Sequence, residues 1–160
     1  MVVDLRVREP LGPRGCARRA LGLTIAVVVT SALASCSAGP SDADRATWDD
    51  WAATIVDASD GTAISGSFEG AWDAEPATLD LGTPTAYGSV ELRCIGTDRA
   101  SFTVSYVGEG TANAKQDIVC QDGAPRTPIA IPTGVGALSS LSVHATSADG
   151  LGTWTAQLRE

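Results

Sequence analysis

The chain of 160 residues has one lysine (Lys115), one histidine (His144) and one asparagine (Asn113). A single histidine confines any imidazole base to one position and leaves no second imidazole for a metal shell. Basic residues are few, 11 Lys and Arg against 19 Asp and Glu, for a net charge of −8. Five of those 11 and two of those 19 precede residue 36, so the remainder carries six against 17. Such a surface repels polyanions, and nucleic-acid binding is set aside. No G-x-S-x-G elbow occurs: Gly66-Ser67-Phe68-Glu69-Gly70 has phenylalanine at its centre. Gly108-x-Gly110 lacks the third glycine of a phosphate loop. Calcium loops fail on spacing, because Ala46 follows Asp42-x-Asp44 where a ligand should stand, and Asp57-x-x-Asp60-Gly61 has the wrong offsets. There is no internal repeat, no heptad pattern and no run of the ~20 apolar residues that a spanning helix needs.

What is present begins at the amino terminus. Arg14, Arg18 and Arg19 form a basic cluster, and the apolar run Ala20 to Leu33, 14 residues long, follows. That length suits the middle of a secretory signal, ~7–15 residues behind a positive leader. The run ends in Leu33-Ala34-Ser35-Cys36. An aliphatic residue, two small ones and a cysteine at this place resemble the lipobox of bacterial lipoproteins. In that family the thiol receives a diacylglycerol, the signal is removed just before the cysteine, and the new amino terminus is often acylated. The resemblance implies that Cys36 is the lipidated residue. The plainer reading is a secretory signal with an incidental cysteine, or one that stays uncleaved.

Lipidation has large physical consequences. Each buried methylene contributes ~0.8 kcal/mol, and two acyl chains hold a protein stably where one does not. The organisation implied is a signal peptide over 1–35, a lipidated tether over 36–41 and a single domain over 42–160. The expected location is the outer face of the cytoplasmic membrane. A domain of this length buries about two-thirds of its unfolded surface, enough for a real core. Five residues separate Cys36 from Asp42, a reach of at most ~17–18 Å. The acidic domain is thereby held close above a surface that repels it, which favours an upright body. With 25 alanines and 17 glycines against one lysine and one asparagine, the composition resembles that of high-GC bacteria. The whole is similar to small actinobacterial lipoproteins, a resemblance that brings no activity with it.

Four cysteines are then accounted for. Cys16 falls in the leader and Cys36 is the lipid site, so Cys94 and Cys120 remain as a pair in an exported domain, where oxidising conditions favour a disulfide. Two free thiols or a metal pair are the alternatives, and no further cysteine or nearby histidine completes a coordination shell.

Ser41 with Asp44 three residues on reads as a helix cap. Trp48, Trp51, Ala52 and Ile55 then form one apolar stripe, and Gly61 is placed to end an amphipathic helix of about four turns. From Thr62 the period changes to two. Val90, Leu92 and Cys94 share one phase; so do Phe102, Val104 and Tyr106; Leu141, Val143 and Ala145; and Trp154, Ala156 and Leu158. Ile129 and Ile131 lie between Pro128 and Pro132, an edge or irregular strand. The fold class expected is mainly β: an antiparallel β-sandwich of about 7–8 strands preceded by one helix. Both cysteines take the inward phase, so their bridge should join facing sheets, and Ser147 to Leu151 should turn the last two strands as a hairpin.

Chemistry is sparse. His144 lies on an outward phase beside Ser140 and Ser142, where a solvated surface histidine is the expected role. Trp72, Asp73 and Glu75 in "EGAWDAEP" are the ligand-binding candidates, since an aromatic beside carboxylates suits a sugar site; the bland reading is a loop with one anchoring tryptophan. Catalytic residues, cofactor and metal are not expected. The function expected is a membrane-tethered binding module contacting an envelope protein or glycan through its loops. A carboxylate-dependent hydrolase on an envelope glycan and a structural accessory subunit are the alternatives.

Overall fold

The computed structural model describes residues 39–68, 75–124 and 128–160. Helix α1 (Asp42–Asp57) begins where the cap was expected. The Asp44 amide donates to Ser41 Oγ at 3.2 Å and the Ser41 amide to Asp44 Oδ2 at 2.9 Å, so each residue satisfies the other's orphan donor. The hydrogen bonds from the Ser41 hydroxyl, and then from its backbone, hold the Asp44 carboxyl below its usual pKa. The helix stops at Asp57, earlier than Gly61, which closes the following turn with φ +78°. Ala52 is buried and Trp48, Trp51 and Ile55 are half-buried, so the expected stripe is the docking face. Among the described residues no helix is long and apolar enough to cross a membrane.

Eight strands follow among the described residues: β1 (Ala63–Ser67), β2 (Ala77–Thr85), β3 (Ser89–Ile95), β4 (Arg99–Val107), β5 (Thr111–Val119), β6 (Ile129–Ala130), β7 (Leu138–Ser147) and β8 (Thr153–Arg159). They make two four-stranded antiparallel sheets, ordered β1-β8-β3-β6 and β2-β7-β4-β5. This is the sandwich that the two-residue periodicity implied. Consecutive strands change sheet at every connection except the β4–β5 hairpin.

The expected hairpin between the last two strands is therefore overturned. β7 pairs with β2 and β4, whereas β8 pairs with β1 and β3, so Ser147 to Leu151 turns a corner between sheets. Asp149 Oδ1 holds that corner, accepting from Ser147 Oγ at 2.9 Å, Thr97 Oγ1 at 3.1 Å and the Leu151 amide at 3.2 Å. The β3–β4 corner packs against it so closely that a Cβ on Gly152 would fall 2.1 Å from the Ile95 carbonyl oxygen. Gly152 has φ +96°, a conformation that only glycine adopts cheaply.

Inward side chains from both sheets meet in one core. Phe102 has no exposed surface and makes edge-to-face contacts with Phe68 and Trp154, at ring-centre distances of 6.2 and 6.0 Å. Val90, Leu92, Val104, Tyr106, Leu138, Leu141, Val143, Ala156 and Leu158 are among the other buried members. Cys94 on β3 is bonded to Cys120, one residue beyond β5, so the disulfide does join the two sheets. Sheet β1-β8-β3-β6 is also covered outside, where α1 packs on β1 and β8. That cover buries Ala63, Thr153 and Thr155, which the alternation alone would leave exposed.

Candidate functional site

Of the ligand-binding candidates from the sequence, Trp72 and Asp73 lie outside the described residues, as does Cys36. Glu75 is exposed ahead of β2, on the rim of a pocket of about 180 Å³ shared with Ser67, Ala77, His144 and Trp154.

The densest recognition chemistry gathers elsewhere, on the outer face of sheet β2-β7-β4-β5. Inward positions on β4 are Ala100, Phe102, Val104 and Tyr106, so the outward set is Arg99, Ser101, Thr103, Ser105 and the exposed Val107. Register then assembles rows across three strands. His144 on β7 faces Thr103 on β4, which faces Lys115 on β5. In the next row Thr146 faces Ser101, which faces Asp117. These six residues and Arg99 line an open groove of about 650 Å³. Ser101 Oγ donates to Asp117 Oδ1 at 2.5 Å, fixing the carboxylate across the strand pair.

His144 thus has more company than a lone surface histidine, being half-buried in the groove. A serine nucleophile is not set against it: Ser142, its neighbour on the same strand face, shares its hydroxyl with Thr78 at 2.8 Å. What the groove offers is a lysine and an arginine, one carboxylate, an imidazole and three hydroxyls, donors and acceptors in rows set by the strand spacing. That set suits orientation of a polar ligand or partner surface through several hydrogen bonds.

Two other features stand apart from this groove. Glu91 is buried on the outer face of β3, where Arg93 and Arg159 both bond its carboxylate, Arg159 through Nε at 3.2 Å. Both guanidiniums are thereby committed to one anion. The second is a slot of about 400 Å³ at the β5–β6 flank, lined by Leu92, Ile118, Val119, Pro128 and Ile129 together with the polar Gln116 and Asp117. Among the described residues no group of three His, Cys, Asp or Glu stands close enough to hold a metal ion.

No protein-family model, curated protein or solved structure matches the chain.

Sequence reasoning singled out His144 and overlooked Arg99, Lys115 and Asp117 as its companions. The signal available was their common outward phase. Missing was the order β7-β4-β5, without which residues 29 positions apart, Lys115 and His144, have no reason to share a surface.

Proposed function

We propose that this chain is an exported, lipid-anchored binding module, tethered through Cys36 to the outer face of the cytoplasmic membrane and contacting an envelope protein or glycan. The carrying observation is the groove, which gathers the one lysine and the one histidine with Arg99, Asp117 and three hydroxyls on an otherwise acidic domain. Binding surfaces are most informative where charges of both signs are held in fixed rows, because a partner must match each. Two features support the export reading. The Leu33-Ala34-Ser35-Cys36 pattern follows a short apolar run, and the Cys94–Cys120 bridge suits an oxidising compartment.

The test is photo-crosslinking in intact cells, with a photoreactive residue at Thr103 in the groove floor and, as a control, at Thr47 on the exposed side of α1. A discrete adduct from position 103 and none from position 47 is the expected result. Equal labelling from both, or none from either, would remove the groove from the reading. Glycan cleavage that disappears on Glu75→Gln would instead establish the hydrolase alternative.

A further inference from the structure

Beyond Cys120 the chain makes a tight turn, Gln121 to Ala124, in which the Ala124 amide donates to the Gln121 carbonyl at 2.7 Å. Asp122 and Gly123 both take left-handed backbone, φ +46° and +77°, the Asp-Gly pattern of a type I′ turn. Cys94 holds this turn twice. Its sulfur is bonded to Cys120, and its carbonyl accepts from the Gly123 amide at 3.0 Å. Gly123 is buried although Asp122 and Ala124 on either side are exposed. The indole of Trp51 covers it: a Cβ on Gly123 would fall 2.6 Å from Trp51 Cε2. Trp48 covers Gly96 in the β3–β4 corner in the same way, again with 2.6 Å between Cε2 and an added Cβ.

Helix α1 depends on these two seats. A helix of 16 residues is marginal in water by itself. Asp57 stands in its last turn with no basic residue there, a charge of the wrong sign for that end of the helix dipole. Docking therefore sustains the helix. Ala52 is its one buried residue, and the half-buried indoles are its largest apolar side chains. One of the two rests on the turn that the disulfide pins.

We propose that the Cys94–Cys120 bridge is a thiol-exchange site that controls how firmly α1 stays docked, with an exported dithiol as its reaction partner. Cys94 is 1% exposed and Cys120 half-buried, so the incoming thiolate attacks Cys120 Sγ. The bond to Cys94 breaks as the mixed disulfide forms, and Cys94 Sγ leaves and takes up a proton. The donor's second thiol then displaces Cys120, leaving two thiols here and a disulfide in the donor, a transfer of two electrons. Gln121 to Ala124 is now held to β3 by the Gly123–Cys94 backbone bond alone, and it opens more often. Each opening removes the seat of Trp51. The cluster of Phe68, Phe102 and Trp154 keeps its ring contacts, because none of them runs through the bridge. With the proposed anchor at Cys36, α1 is the element next to the tether, and its release adds up to about 50 Å of reach. That consequence rests on the anchor; the release does not.

Hydrogen exchange read by mass spectrometry tests this on Ser37–Glu160, a compact unit containing the helix, all eight strands, the core and the disulfide. Peptides from α1 report opening of the helix, and those from β3, inside its sheet, report opening of the whole domain. Reduction with dithiothreitol should speed exchange in α1 by about tenfold or more, with α1 still exchanging well ahead of β3. Trp51→Ala should give fast exchange in α1 while the bridge is intact, and reduction should then add less than about twofold. Gly123→Val, which places a side chain in the seat of Trp51 at φ +77°, should also release the helix in the oxidised protein. It carries the test should the reduced domain fail to fold. Exchange in α1 indifferent to reduction, or equal to that of β3 in the reduced protein, would overturn the proposal. So would a full response to reduction in Trp51→Ala, or a helix as protected in Gly123→Val as in the wild type.

Discussion

Breaking the Cys94–Cys120 bridge should lower stability by an amount that loop length sets. The two residues are 26 apart in sequence, and confining a loop of that size in the unfolded chain corresponds to about 3.5 kcal/mol. For a domain of this size the melting temperature should fall by about 10–20 °C. Because the effect acts on the unfolded ensemble, the reduced protein should fold to the same core, with the near-ultraviolet signal of Trp154 and Phe102 retained. Urea titrations of the oxidised domain, the reduced domain and Cys94→Ala/Cys120→Ala give the three free energies. Reduced and doubly substituted proteins should agree within about 1 kcal/mol, the substituted one being the weaker because Cys94 is buried and truncation leaves a small cavity. A loss below about 1 kcal/mol on reduction would refute the loop-closure reasoning, and two titratable thiols in the protein isolated from its native cells would refute the bridge.

Three further perturbations probe the core and the corner. Phe102→Ala removes the ring shared by Phe68 and Trp154 and should cost about 3–5 kcal/mol by denaturant titration; a loss under ~1 kcal/mol would mean the core refills the space. Tyr106 is fully buried and its hydroxyl has no partner among the described residues, so Tyr106→Phe should leave stability unchanged or raise it by up to about 1–3 kcal/mol; a clear loss would reveal a bond that the hydroxyl makes. Burial acts to raise the Asp149 carboxyl, but the Leu151 amide and the Ser147 and Thr97 hydroxyls outweigh it and hold the group below its ordinary value of 3.8. Its contribution is therefore present above the unfolded pKa and lost as pH falls through the lower, folded one. Stability measured against pH should drop across that acid interval in the wild type and flatten in Asp149→Asn; parallel curves would contradict the assignment.

Much of the architecture was legible because local chemistry and the final contacts agree. Ser41 and Asp44 cap the helix as their spacing requires, and the inward phases of β3, β4, β7 and β8 supply nearly every large core side chain. β5 was faint because its inward positions are mostly small: Ala112 and Ala114 give little hydrophobic contrast with Thr111, Asn113 and Lys115. Strand partnership was not legible. Ser147-Ala148-Asp149-Gly150 is as good a hairpin turn as an inter-sheet corner, and only the pairing of β8 with β1 and β3 distinguishes them. The burial of Thr153 and Thr155 likewise depends on where α1 lands, which no residue in β8 announces. The groove around His144 is the functional consequence of the same gap, since its rows exist only once β7, β4 and β5 lie side by side.

The proposed tether and compartment both depend on the cysteine that ends the short apolar run. Mass spectrometry of the amino-terminal peptide of the protein recovered from its native cells tests this directly. A peptide beginning at Cys36 and heavier by a diacylglycerol is the expected result; a chain that still carries residues 1–35 with an unmodified thiol would contradict the tether and, with it, the compartment.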